Sequence, residues 1–481
     1  MSAQCPNIPV SAMPAAPATP AAIAGRTGLL PLIALAVGFV MAMLDVTVVN
    51  VGLSSIEQSL STPLTMLVWI IDGYTLTFAA MLLVGGALAD RYGAKNIYLL
   101  GLLLFVAASL LCGAAPTGAM LVAARLLQGL GAALFMPSSL SLLTHIYEDD
   151  RVRAHMLGIW SATVGCAAAL GPLVGGVLIH AFGWRSVFLI NVPVGLFGLF
   201  MAYKMIPAVQ KHARELTILS HVLGVLMLAA LSFVLIQGPA YGWTSGPIVA
   251  AAVAVVLAAF LLIRRERRGT VSLLPRELFA TPQFAAANGI GFLINFGVYG
   301  QIFFVSLFLQ QARGADALQT GVQLLPMMVV IFAGNLLSGR ITAHRGPRFP
   351  MLLGLSTGAL FAGLLMALTP QTPYWLFALV MAIANLGISI AIPAMTTAVM
   401  QVAGRKHANS AAATLNANRQ IGALVGVAIM GAILHTFADW STRTMLAFAF
   451  ICAVYAGALF LVARYIVAGD AHNAGVAAAG K

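Results

Sequence analysis

Fourteen apolar runs follow one another along the 481 residues, each long enough as a helix to cross the roughly 30 Å hydrocarbon core of a bilayer. They lie near 29–52, 66–89, 96–115, 118–142, 155–180, 184–206, 217–238, 245–263, 284–311, 319–342, 350–369, 373–398, 409–436 and 443–467, and are numbered helices 1 to 14. Short polar loops part them. Only 8% of the residues are charged, where a soluble domain averages about 25%, so the bilayer is the principal solvent. The four cysteines (Cys5, Cys112, Cys166, Cys452) show no metal-ligand or redox spacing.

The net charge of +12 would suggest nucleic acid in a soluble chain, but here it marks topology. Basic residues gather before helix 1 (Arg26) and after the even-numbered helices, as in Arg91 and Lys95, Arg151 and Arg153, Arg264 to Arg268, Arg340 to Arg348, and Arg405 and Lys406. Opposite loops hold Arg185, Arg313 and Arg443, while Arg125 and Arg419 fall within spans. Positive-inside asymmetry then puts both termini in the cytoplasm. Residues 1–28, rich in Ala and Pro, and 468–481 are expected to be disordered cytoplasmic tails. The run after Arg26 is too long for a signal peptide and carries a buried acid, so it is the first span.

That acid is Asp45, two helical turns inside the far end of helix 1, too deep to reach water along the helix surface. A carboxylate at such depth costs on the order of 3 kcal/mol, so it must face a polar cavity or partner. Asp72 on helix 2 and Arg125 on helix 4 lie at a similar depth. The three are expected to form one charged layer in which a proton is taken up and released. A small shift of the helix end would instead make Asp72 interfacial, and Arg125 fits coupling or scaffolding equally.

The most specific local pattern is Gly86-Ala87-Leu88-Ala89-Asp90-Arg91-Tyr92-Gly93-Ala94-Lys95. Its glycines permit close helix approach and its charges permit pairing across a gate. The spacing of Gly86, Gly93 and Lys95 returns 253 positions later as Gly339, Gly346 and Arg348, with Ala343 in place of Asp90. Helix 2 repeating as helix 10 implies two six-helix halves with helices 7 and 8 inserted between them.

The same stretch resembles the loop 2–3 signature of the major facilitator superfamily. Leu44-Asp45-Val46-Thr47-Val48-Val49-Asn50-Val51 resembles the helix 1 motif of its fourteen-helix drug:proton antiporters, and Arg125-Leu126-Leu127-Gln128-Gly129-Leu130-Gly131 their helix 4 motif. Gly171-Pro172-Leu173-Val174-Gly175-Gly176 resembles the antiporter motif of helix 5, and Trp184 to Gly195 the opening of helix 6. The acid common early in helix 7 of that group is replaced by Ser220 and His221, and helices 9 to 14 contain no acid, since Asp316 and Asp439 fall in loops.

The resemblance implies an all-α integral membrane protein: an N-terminal bundle at 29–206, inserted helices and loops at 207–283, and a C-terminal bundle at 284–467. It implies export of lipophilic, cationic drugs or biocides across a bacterial inner membrane in exchange for protons, by a monomer with no cofactor, metal or nucleic-acid partner. Asp45, Asp72 and Arg125 would couple protons, and Gly86, Asp90, Arg91, Gly93 and Lys95 would gate. Gly171, Pro172, Gly175 and Gly176 read as packing and bending devices. Gln128, Asn191, Asn295, Gln301 and Asn385 are candidates to line the cavity or join helices. No phosphate loop, zinc-ligand spacing or nucleophile elbow supports an ATP-driven pump or an enzyme. An exporter of a natural metabolite on the same scaffold is the nearest alternative; a channel or transporter-derived receptor is a more distant one.

Overall fold

The computed structural model describes residues 29–147, 149–207, 218–268 and 276–466, and the two terminal tails expected above lie outside them. All the described secondary structure is helical. Among the described residues fourteen helices are long and apolar enough to span: α1 Leu30–Val51, α2 Leu64–Tyr92, α3 Ala94–Ala114, α4 Gly118–Ile146, α5 His155–Phe182, α6 Ser186–Met205, α7 Leu219–Tyr241, α8 Gly246–Arg267, α9 Pro282–Ala312, α10 Ala317–Arg345, α11 Arg348–Leu365, α12 Tyr374–Gly404, α13 Ser410–Thr436 and α14 Trp440–Tyr465. Several run past the expected apolar stretch, because helix formers continue the turn after lipid ends. Local chemistry fixes their starts. Pro31 and Pro282 open α1 and α9, where their missing N–H is not needed. Thr117 caps α4, and Asp316 and Asp439 cap α10 and α14. Those two acids thus serve helix ends outside the spans.

Helices α1 to α6 pack as one bundle and α9 to α14 as another, with α2 against α13 and α5 against α10 across the seam. α7 rests on both α2 and α13, with Leu228 packed against Leu76 and Leu424. α8 packs mainly on α7 and turns Val253, Val256, Leu257 and Phe260 outward, as a lipid-facing helix does. Ser220 holds this pair together, donating to Glu266 and accepting from Arg265. α9, by contrast, is the most enclosed span.

The internal repeat is visible in detail. Gly93 (φ 96°) alone turns α2 into α3, and Gly346 (φ 68°) ends α10 in the same left-handed region, one residue before Pro347 and α11. Lys95 then donates to the Tyr203 carbonyl on α6 at 2.9 Å, and Arg348 to the Ala463 carbonyl on α14 at 3.1 Å. Each basic residue fastens the third helix of its bundle to the sixth.

Candidate functional site

Five helices of the first bundle converge on Asp45. Arg125 and Gln128 stand three residues apart on α4 and so share a face. The Arg125 guanidinium donates through Nη1 to Asp45 Oδ2, and through the same nitrogen to Gln128 Oε1 at 2.7 Å. Gln128 Nε2 in turn donates to Asp45 Oδ1 at 2.8 Å and to Ser109 Oγ on α3 at 2.9 Å. Asn191, opening the second part of α6, reaches the same Asp45 oxygen at 3.5 Å. Arg125 Nε donates to the Ile70 carbonyl of α2 at 2.9 Å, and the guanidinium lies 4.5 Å from the centre of the Tyr74 ring. Asp45 is 2% and Arg125 1% exposed. Arg125, Gln128 and Asn191 each offer the Asp45 carboxylate a donor, which suits the ionised form.

Asp72 does not join them, and the expected single layer of three charges divides. It is fully buried with no hydrogen-bond partner at either carboxyl oxygen. The reason is angular. Ile70 and Tyr74, which meet Arg125, lie one helical turn apart; Asp72 falls midway between them, about 200° round the helix from each. Its face-mates are Val68 and Leu76. Val68 packs where a side chain at Gly431 of α13 would stand, and Leu76 clusters with Leu424 of α13. Asp72 therefore occupies the face of α2 turned to the other bundle.

The glycines of α5 form two seats. At Gly171 a Cβ would collide with Thr47 Oγ1, and at Gly175 it would meet Val48 of α1 at 2.9 Å. One residue further round, Gly176 faces Ala317 and Leu318 of α10, and the Pro172 carbonyl fills the place that a Cβ at Gly321 would take. The pairs 171/175 and 172/176 each repeat every four residues, so they make two adjacent stripes. One stripe receives the turn beside Asp45; the other receives the opposite bundle. At the same end, Ser54 N donates to Gln310 Oε1 at 3.2 Å, Gln310 Nε2 to the Asn50 carbonyl at 3.4 Å, and Gln311 Nε2 to Glu57 at 2.8 Å. Gln310 and Gln311 lie in the π-helical close of α9. Nothing in the hydrophobic pattern marked this clasp; its sequence signal is confined to the polar pair ending an apolar span.

The remaining candidates separate from the network. Asn295 and Asn385 are buried and donate to carbonyls four residues back on their own helices, at 2.9 Å each. Gln301 meets Met381 Sδ of α12. In the α2–α3 turn, Lys95 binds inside its own bundle instead of across a gate, Arg91 lies over the Tyr92 ring, and Gly86 faces Pro137 of α4. Asp90 is half-buried.

Known proteins share this architecture. The profile of the Major Facilitator Superfamily matches residues 35–427. The chain is 50% identical over 456 residues to the methylenomycin A resistance protein of Bacillus subtilis (strain 168), covering 95% of this chain and 97% of that protein. It is 32% identical to the multidrug resistance protein Stp of Mycobacterium tuberculosis (strain CDC 1551 / Oshkosh), covering 87% and 78%. A solved bacterial homolog of the human lysosomal transporter Spinster, in an inward-facing and unoccupied conformation, shares the fold with a TM-score of 0.63 at 18% identity, over 91% of this chain and 97% of that one.

Proposed function

The chain belongs to the Major Facilitator Superfamily, and from that premise we propose that it exports lipophilic drugs across the bacterial inner membrane in exchange for protons, by alternating access. Its relatives include drug- and antibiotic-resistance proteins, which supports the efflux direction. In this reading both termini are cytoplasmic and the protein works as a monomer. The halves 29–206 and 284–467 rock about the cargo, with 207–283 riding on the seam. The α2–α3 turn residues Gly86, Asp90, Arg91, Gly93 and Lys95 shape the cytoplasmic gate.

The observation that carries the proposal is the closed network around Asp45 beside the two-faced α5. Protonating Asp45 would leave a buried guanidinium without its anion, which costs several kcal/mol. Relief requires α1 and α4 to move relative to one another. α1 rests on the 171/175 stripe of α5 and α10 on the 172/176 stripe, so a shift of α1 reaches the opposite bundle. Asp72 has a complementary part. The α2–α13 contact seals it while the clasp end is closed, and parting of those helices would wet it from outside. The membrane potential contributes ~2.3 kcal/mol per charge per 100 mV.

Inverted membrane vesicles test this. A pH gradient should drive uptake of members of a drug panel, and Asp45→Asn should abolish proton-driven uptake at unchanged expression. Full proton-driven uptake by that variant would refute the proton role of Asp45.

A further inference from the structure

Besides Asp72, Arg419 is a charged residue inside the spans that stands apart from the Asp45 network. Arg419 lies on α13 about 14 Å from its Ser410 end, and about 25 Å from its Thr436 end, at ~1.5 Å per residue. Its stem passes Gly291 of α9, where a Cβ would come within 3.5 Å of Arg419 Cγ and close to Met395 of α12. Helices α9 and α12 therefore flank it and keep it from lipid. It is partly buried, as are all residues from 416 to 421, and its Nε is enclosed. Asn418 fixes the stretch by donating to the Asn288 carbonyl of α9 at 2.6 Å.

Among the described residues no carboxylate pairs with Arg419, and its Nε has no hydrogen-bond partner. Helices α9 to α14 contain no acid that projects from within a span. Asp45 is engaged by Arg125, and Asp72 lies on the order of 13 Å nearer the clasp end. The Tyr299 phenol is within electrostatic reach and brings a further polar group. An intramembrane guanidinium without an anion is costly, and such groups are kept where they meet a ligand or ion.

We propose that Arg419 is the anion-recognition residue of the cargo site, and that the cargo is an apolar molecule bearing a carboxylate or comparable organic anion. The planar guanidinium presents a fork of donors matched to a carboxylate. The same positive charge repels a cation, so this proposal departs from the cationic cargo that the family resemblance implies. This assignment rests on the export reading above.

Three probes of one shape decide it: anthracene-9-carboxylate, its methyl ester, and 9-aminomethylanthracene, titrated by fluorescence against the full chain in nanodiscs at neutral pH. Wild type should bind the carboxylate more tightly than the ester by about 10- to 100-fold, and the amine most weakly. Arg419→Gln should lower carboxylate affinity to the ester's level and leave the ester unchanged, with Arg419→Lys between wild type and Gln. Equal binding of carboxylate and ester by wild type, or a preference that survives Arg419→Gln, overturns the assignment. Should Arg419→Gln misfold, the wild-type ratio and Arg419→Lys still decide. Proton release on ligand binding separates the two readings. Proton exchange without carboxylate preference removes the anion site and leaves antiport, whereas carboxylate preference without proton exchange does the reverse.

Discussion

The two bundles repeat one architecture, yet their polar centres are opposite in kind. In the first, Asp45, Arg125, Gln128, Asn191 and Ser109 satisfy one another across four helices, with Arg125 also tied to the α2 backbone. In the second, the amides of Asn295 and Asn385 turn back to their own helices, and Arg419 faces no acid among the described residues. A closed network can take up a proton only at the cost of stranding the guanidinium, which couples protonation to movement of its helices. An open cation has no such coupling, but it can receive a charge that arrives from outside. In the proposed reading, proton handling resides in the first half and cargo handling in the second.

The largest expected effect sets the two arginines against each other. Arg125→Leu strands a buried carboxylate and should cost about 3–5 kcal/mol of stability, together with transport. Arg419→Leu removes a charge that no carboxylate among the described residues faces, and should leave the unfolding temperature unchanged or raised. Thermal unfolding in detergent measures both. Combining Arg125→Leu with Asp45→Asn should recover much of the lost stability but no proton-driven uptake. Equal destabilisation by the two single substitutions would dissolve the contrast between the bundles.

A second contrast sharpens it through packing. Gly422 seats α13 on the Phe292 carbonyl within one bundle, while Gly321 seats α10 on the Pro172 carbonyl of the other bundle; at either glycine a Cβ would collide with that oxygen. Gly422→Val should cost about 1–3 kcal/mol by overpacking a rigid unit. Gly321→Val meets a contact that the bundles can relieve by separating. It should therefore cost less stability and instead part the clasp end. Spin labels at Ser59 and Gln311 would report a lengthened distance in Gly321→Val and an unaltered one in Gly422→Val.

The spans were legible because lipid makes a strong demand on length and polarity, and all fourteen lie where the apolar runs do. The Gly93 and Gly346 turns were legible as well, since the repeat returned glycine and a basic residue at one spacing. Depth along a helix placed Asp45 near Arg125 and the pairing is real. Depth alone also placed Asp72 there, and that expectation failed on angle: Ile70, Asp72 and Tyr74 are close in height but Asp72 faces the other way. Counting by turns as well as by rise would have separated them. The role of Arg419 could not be read from composition, since an intramembrane arginine is ordinary when an acid faces it. Only the packed structure shows that none does among the described residues.

Smaller effects test whether the amides obey the same division. Gln128→Leu removes donors from Asp45 and Ser109 and an acceptor from Arg125, leaving charged groups short of partners in a dry site. A cost of about 1–3 kcal/mol is expected, with proton-coupled uptake impaired because Asp45 loses part of its support. Asn385→Leu should be the least consequential. Its Nδ2 donates only to the Met381 carbonyl, one turn back on α12, and its Oδ1 has no partner. Replacing it removes an unmet acceptor and strands no other side chain, so the change should stay within about 1 kcal/mol and can favour the folded state. Unfolding midpoints of the two variants, measured side by side, should differ in that order. If Asn385→Leu cost as much as Gln128→Leu, the second bundle would contain a polar network of its own, and Arg419 would have to be regarded as part of it.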